Sequence, residues 1–175
     1  IILSSEVISS VALTAGKDVK QSEVHGMAQR GGSVSSHVRF GDKIYSPTIE
    51  KGQADILLSF ELMETLRWVE YLSDTGTAVV NVQQIDPMPV ASGKAKYPAD
   101  VLDQLGQHCD ELVQVQGQDL AMQAGHIKAV NTVMMGVLSN RLDFSESDWK
   151  TAIENRVPPK TIDINFKAFD LGKAV

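Results

Sequence analysis

The chain has 175 residues, of which 43% are hydrophobic and 22% are charged, a composition typical of one folded domain with a substantial core. Its net charge of −6 argues against nucleic acid or an anionic membrane as the main partner, because either needs a basic surface. The single cysteine, Cys109, excludes an intramolecular disulfide and cannot ligate an iron–sulfur cluster by itself.

The N-terminal segment predicts a helix followed by a strand. Apolar residues spaced three and four apart place the helix at 2–15, and Gly16 suits its left-handed C-cap. The alternating segment at 18–24 then predicts a strand.

A second strand is predicted at 34–40, where apolar and polar residues alternate. Gly41 and Asp42 suit a two-residue turn, with 43–46 as the return strand. We therefore expect a hairpin near residues 34–46.

The middle of the chain predicts a parallel sheet. A strand at 54–60, a helix at 61–72 and a strand at 77–82 follow one another through short connections, and this order implies a right-handed parallel crossover. The Pro- and Gly-containing stretch at 83–98 is expected as a surface excursion.

The C-terminal part predicts one further strand among helices. The strand is expected at 110–115, and the helical segments at 99–108, 117–142, 146–156 and 160–172. Asn131 and Asn165 are assigned to helix packing, and His108 and His126 to the surface.

Polar recognition groups are concentrated at 22–40, which holds two His, two Arg, one Gln and three Gly between the first two strands. Glycines let a partner approach the main chain closely, and Arg, Gln and His supply hydrogen-bond donors for a carboxylate or a phosphate. The alternative is an ordinary turn whose charged residues face water.

The order of these residues resembles a known family. The run at 22–33, continuing into Ser36-His37-Val38-Arg39, is similar to the motif of the smaller subunit of indolepyruvate ferredoxin oxidoreductase, which corresponds to the gamma subunit or domain of the 2-oxoacid:ferredoxin oxidoreductases. Further segments similar to that family lie at 45–47, 54–61, 131–136 and 165–172.

The resemblance covers essentially the whole chain and implies its fold. The expected fold is a three-layer α/β/α domain with a mostly parallel sheet, like the gamma domain (domain III) of pyruvate:ferredoxin oxidoreductase, over residues 1–175. The family opens with a strand and a Gly-x-Gly-Gly-Gln-Gly turn, whereas this chain begins at Ile1. We therefore expect a fragment without that strand and turn.

The resemblance also implies a function within a complex. Members convert an aryl 2-oxoacid such as indolepyruvate, with coenzyme A and ferredoxin, into an arylacetyl-CoA. Thiamine diphosphate, magnesium and iron–sulfur clusters are expected on a larger partner subunit, while this chain supports assembly and encloses the active site. Independently of the resemblance, the sequence has no apolar run near the roughly 18 residues of a membrane span and no basic flank of a signal peptide, so the expected compartment is the cytoplasm.

No catalytic residue is assigned, because Walker, His-Glu-x-x-His, Cys-x-x-Cys and Gly-x-Ser-x-Gly patterns are all absent from the sequence. The candidate contacts to substrate, coenzyme A or partner subunit are Arg30, His25, Gln29, Gly31, Gly32, His37 and Arg39. Two alternatives stay open: a stand-alone small-molecule or nucleotide-binding α/β domain, and an interaction module with no part in chemistry.

Overall fold

The computed structural model describes residues 1–25 and 34–175, which form two compact units. One unit comprises 1–49 and 117–175, and the other comprises 50–116. The organisation of residues 1–175 as a single oxidoreductase domain stays a prediction.

In chain order the elements are α1 (Ile2–Thr14), β1 (Asp18–His25), β2 (Val34–Gly41), β3 (Ala54–Ser59), α2 (Leu62–Trp68), β4 (Leu72–Asn81), α3 (Met88–Ala91), α4 (Val101–Gly106), β5 (Glu111–Val115), α5 (Gly117–Ala124), α6 (Val130–Ser139), α7 (Glu146–Glu154) and α8 (Ile162–Lys173).

The first unit begins with α1 and an antiparallel pair of strands. The C-cap of α1 is Ala15, one residue before the predicted Gly16. Gly16 has the left-handed conformation that the prediction required, with φ of 77°. Strand β1 pairs with β2 from Asp18 opposite Gly41 to His25 opposite Val34. One face of this pair packs on α1, where Ser9 Oγ donates to Gln21 Oε1 at 2.7 Å.

The antiparallel pair differs from the predicted hairpin near residues 34–46. Strand β2 forms as expected, but its partner is β1, and residues 43–46 form no strand. The segment after Gly41 bonds instead to side chains of β1 and β2, because their polar groups offer its main chain other partners. The expectation of a return strand at 43–46 was wrong.

The C-terminal half of this unit consists of α5 to α8. The long helical stretch predicted at 117–142 is divided at Gly125, whose φ is 127°, a value that ends a right-handed helix. Ser145, which precedes the helix predicted at 146–156, caps α7, since its side chain accepts from the amide of Asp148 at 3.1 Å.

A line of aromatic side chains runs through the core of this unit. Phe40 lies 5.4 Å from Phe144, Phe144 lies 6.4 Å from Trp149, and Trp149 lies 6.1 Å from Phe169, all measured between ring centroids. Trp149 and Phe169 are fully buried. The line thereby joins the strand pair to α7 and α8.

The second unit contains a parallel sheet of order β3-β4-β5. The predicted crossover from β3 to β4 and the α/β fold class are therefore confirmed. Helix α2 ends earlier than predicted, at Trp68, and a 3-10 turn at Val69–Tyr71 leads into β4. The predicted excursion at 83–98 is confirmed as irregular chain apart from α3.

Two apolar clusters fill this second unit. One consists of Val69, Val101 and Leu105, and the other of Leu72, Ala78 and Val80. Burying the valine and leucine side chains among them contributes roughly 1.5–3 kcal/mol each before entropy losses. The two clusters keep α2 and α4 packed against the parallel sheet. They thereby fix the positions of the segments that follow its strands.

Candidate functional site

Five of the seven candidate contacts fall at residues 25–32. Gln29, Arg30, Gly31 and Gly32 lie outside the described residues, and His25 is the last residue of β1. Their assignment to substrate, coenzyme A or a partner subunit stays a prediction.

The other two candidates, His37 and Arg39, lie on β2. Ser22 is the cross-strand partner of His37, and Lys20 is the partner of Arg39. Since residues two apart in a strand point to the same side, His37 and Arg39 share the face of the strand pair opposite to α1, in keeping with the alternation of polar and apolar residues along β2.

Both side chains bond to the chain's own segment 44–49. Arg39 Nη1 donates to the carbonyl oxygens of Ser46 and Thr48, each at 3.2 Å. His37 Nδ1 accepts the amide of Ile49 at 3.0 Å. These contacts hold the chain's own fold together. The contact of His37 and Arg39 with substrate, coenzyme A or a partner subunit stays a prediction.

Asp18 attaches the start of the same segment. Its Oδ2 accepts the amide of Ile44 at 2.8 Å, while its Oδ1 lies 2.6 Å from Lys20 Nζ. The bond from Ile44 and the ammonium of Lys20 lower the pKa of Asp18 below its usual value. For His37, burial lowers the pKa, which favours the neutral imidazole that accepts a hydrogen bond.

A polar cluster that the sequence analysis missed lies at the carboxyl ends of β3 and β4, the edge where open α/β sheets bind ligands. Glu61 is only 8% exposed. Its Oε2 accepts the amide of Glu64 at 2.8 Å, and its Oε1 accepts the hydroxyl of Tyr97 at 2.5 Å and the amide of Ile85 at 3.2 Å.

Tyr97 connects this carboxylate to the start of α2. Its hydroxyl oxygen also accepts the amide of Met63 at 3.0 Å, and burial together with the bond to Glu61 raises the pKa of Tyr97. The excursion at 83–98 is thus attached to α2 at both of its ends. Glu61 at the start of the helix predicted at 61–72 was the available sequence signal, since an acidic residue at that end can cap the first turn.

Asn81 occupies the end of the neighbouring strand and is fully buried. Its amide nitrogen donates to the carbonyl oxygen of Phe60 at 3.1 Å and to Gln83 Oε1 at 3.3 Å. Its amide therefore joins the chain that follows β3 to the chain that follows β4.

Cys109 has the environment of a structural thiol. Its Sγ donates to the carbonyl oxygen of Leu105 at 3.0 Å, and burial, followed by the charge of Asp110, raises the pKa of the thiol. His108 and His126 are exposed as predicted. Within residues 1–25 and 34–175, no group of three or more His, Cys, Asp or Glu side chains has the arrangement of a metal site.

The predicted packing role of Asn165 is confirmed between α6 and α8. Its Oδ1 accepts the hydroxyl of Thr132 at 2.6 Å, and its Nδ2 donates to the carbonyl oxygen of Thr161 at 2.8 Å. None of the helices in the described parts of the chain combines the length and apolar character needed to cross a bilayer.

Residues 1–175 match the family described as pyruvate ferredoxin/flavodoxin oxidoreductase. The chain belongs to this family. It is 41% identical to a protein from Thermococcus kodakarensis named indolepyruvate oxidoreductase subunit IorB, over 98% of this chain and 88% of that protein. A protein of the same name from Archaeoglobus fulgidus is 34% identical over 98% of this chain and 87% of its own length. The resemblance stated from the motifs is confirmed.

Solved structures show the same fold at lower identity. The keto/oxoacid ferredoxin oxidoreductase gamma subunit from Geobacter sulfurreducens superposes with a TM-score of 0.69 at 22% identity, over 98% of this chain and 88% of that chain. A 2-oxoglutarate:ferredoxin oxidoreductase from Magnetococcus marinus, with 2-oxoglutarate, coenzyme A and succinyl-CoA bound, has a TM-score of 0.71 at 20% identity. The match covers 99% of this chain but 28% of the Magnetococcus chain.

Proposed function

We propose that this chain is the smaller subunit of an oxidoreductase that acts on indolepyruvate and works in complex with a larger subunit. The observation that carries the proposal is the 41% identity to the indolepyruvate oxidoreductase subunit over 98% of this chain. The Magnetococcus structure, in which the matching region is 28% of a longer chain with coenzyme A bound, supports coenzyme A as the acyl acceptor.

The proposed reaction is an oxidative decarboxylation. An aryl 2-oxoacid loses carbon dioxide, its acyl group is transferred to the thiol of coenzyme A, and the electrons released reduce ferredoxin. Thiamine diphosphate with magnesium supplies the electron sink, and iron–sulfur clusters pass the electrons on singly. We assign these groups to the larger subunit, because one cysteine in 175 residues is too few for a cluster held by this chain.

The proposed contribution of this chain is the turn at 25–32, which carries Arg30, His25 and Gln29 beside Gly31 and Gly32. A guanidinium binds a phosphate or carboxylate through paired hydrogen bonds. We propose that Arg30 binds the phosphates of coenzyme A or the substrate carboxylate and that the turn closes over the partner's active site. His37 and Arg39 would act mainly by supporting the strand that follows the turn.

The test uses the complex with the larger subunit. Assembly is measured by size-exclusion chromatography, and turnover by indolepyruvate- and coenzyme A-dependent reduction of ferredoxin. Arg30→Ala is expected to lower kcat/KM at least about tenfold, as loss of a charged contact does. Arg67→Ala is the matched control, since Arg67 is exposed on α2 and pairs with Glu64.

Three results would contradict the proposal. Unchanged assembly and unchanged turnover in Arg30→Ala would remove the role of the turn. Oxidation of indolepyruvate by the isolated chain would favour the alternative of an independent enzyme, whereas a complex that is equally active without this chain would leave only an interaction module.

A further inference from the structure

The segment 44–49 crosses the polar face of the strand pair and is attached there by side chains of β1 and β2. Asp18 accepts the amide of Ile44 at the start of the segment. Arg39 donates to two carbonyl oxygens in its middle. His37 accepts the amide of Ile49 at its end.

We propose that His37 is a proton-operated latch, which holds the end of this segment when the imidazole is neutral and releases it when the imidazole is protonated. The proposal concerns this chain by itself and does not depend on the redox function.

The chemistry of the contact makes it sensitive to a single proton. Nδ1 of His37 accepts the amide of Ile49 at 3.0 Å, so it carries no hydrogen and the neutral ring has its proton on Nε2. A second proton would be placed on Nδ1. Two donors would then face each other, and the amide of Ile49 would lose its acceptor.

Charged groups on the same face of the strand pair define the conditions for release. Arg39 lies two residues along β2, Lys20 lies opposite Arg39, and Asp18 is already paired with Lys20 at 2.6 Å. Glu50 follows Ile49 in the chain. Burial lowers the pKa of His37 below its ordinary 6.5. The latch is therefore closed at neutral pH and opens below pH 6.5.

The other two attachments do not open in the same range. The guanidinium of Arg39 stays charged at all relevant pH values, and the pKa of Asp18 is lowered by its bonds to Ile44 and Lys20. Ile49 ends the first of the two stretches that make up its unit, 1–49, and Glu50 is the first residue of the other unit. Protonation of His37 therefore frees the chain just where it passes from one unit to the other.

The test follows amide hydrogen exchange of Ile49 in the full chain by nuclear magnetic resonance between pH 7.5 and pH 5, corrected for the intrinsic pH dependence of exchange. The titration of His37 is monitored on its own ring protons. The protection factor of Ile49 is expected to fall by about tenfold as His37 becomes protonated, which corresponds to loss of one hydrogen bond. Ile44 is the internal control, and its protection should stay constant.

Two variants separate the latch from general loosening of the fold. His37→Phe should leave Ile49 poorly protected at every pH, with Ile44 still protected. His37→Gln retains a side-chain acceptor that does not titrate and should remove the pH dependence. Protection of Ile49 that is unchanged across the titration of His37 in the wild type would overturn the proposal, and so would a parallel loss at Ile44.

Discussion

Helices α6 and α8 meet main chain against main chain, whereas the segment 44–49 is attached to its strand pair through three side chains. A Cβ added at Gly136 would collide with the carbonyl oxygen of Phe169, and one added at Gly172 with that of Val133. The helix pair is therefore sensitive to any added atom. The segment is sensitive to the loss, or the protonation, of one partner group.

We expect the cluster of Glu61 and Tyr97 to have an intermediate sensitivity to substitution. It too attaches a segment through side chains, but Glu61 is 8% exposed, whereas Arg39 is exposed. A hydrogen bond to a buried charge is stronger and costlier to lose than one at the surface. The three regions thus predict a graded series of mutational effects.

The largest effect is expected in the helix pair. Gly136→Ala or Gly172→Ala forces α6 and α8 apart, because the new methyl group meets backbone that cannot move aside. We expect the free energy of unfolding to fall by about 3 kcal/mol or more in each variant, measured by urea denaturation followed by circular dichroism. Gly106→Ala is the control, because a Cβ there meets nothing within 4 Å, and we expect it to be neutral or stabilising by up to about 1 kcal/mol. Equal losses in all three variants would show that the close contact is not what matters.

An intermediate effect is expected from Tyr97→Phe. The change removes the hydroxyl that bonds to both Glu61 and the amide of Met63 while it keeps the ring. Leaving a buried carboxylate short of one donor should cost about 2 kcal/mol. Urea denaturation gives the loss, and hydrogen exchange should show faster exchange at Met63.

The matched control for this variant is Tyr45→Phe, because Tyr45 is 84% exposed and its hydroxyl loses only water. We expect it to change the free energy of unfolding by less than about 0.5 kcal/mol. If Tyr97→Phe changed the free energy of unfolding as little as Tyr45→Phe, the claim that Tyr97 attaches the excursion at 83–98 to Glu61 would be wrong.

The smallest effect on stability is expected from Arg39→Ala. Its two bonds to the segment are exposed, so their loss should cost less than about 1 kcal/mol. Local order should change more than global stability, and chymotrypsin cleavage after Tyr45 should become at least about threefold faster. Arg67→Ala should leave that cleavage rate unchanged. A fall in stability as large as that of the glycine variants would remove the distinction drawn between the two regions.

Local patterns in the sequence predicted much of the fold. Three features follow from periodicity and capping within a few residues: helix α1 with the left-handed Gly16 after its end, the strands β3, β4 and β5 with their parallel crossover, and the cap at Ser145. The family also followed from the sequence, because the order of residues at 22–33 is a specific motif. The face shared by His37 and Arg39 followed from alternation along β2.

Other features depended on residues far apart in the chain. The partner of β2 was predicted at 43–46 but is β1, because a turn signal at Gly41 does not specify which strand is available to pair. Gly125 divides a stretch that its apolar pattern predicts as continuous. Glu61 and Tyr97 are 36 residues apart, and no local pattern relates them.

The sequence by itself determined which segments are helical or buried and to which family the chain belongs, because side-chain periodicity and motif order are local properties. Only the tertiary structure decided that the polar face of the strand pair holds the segment 44–49, that Glu61 and Tyr97 bond, and that α6 and α8 touch at glycines. Those outcomes arise from competition among distant hydrogen-bond partners and from the space between packed elements. Neither the outcome of that competition nor the space between the elements is determined by any short stretch of residues.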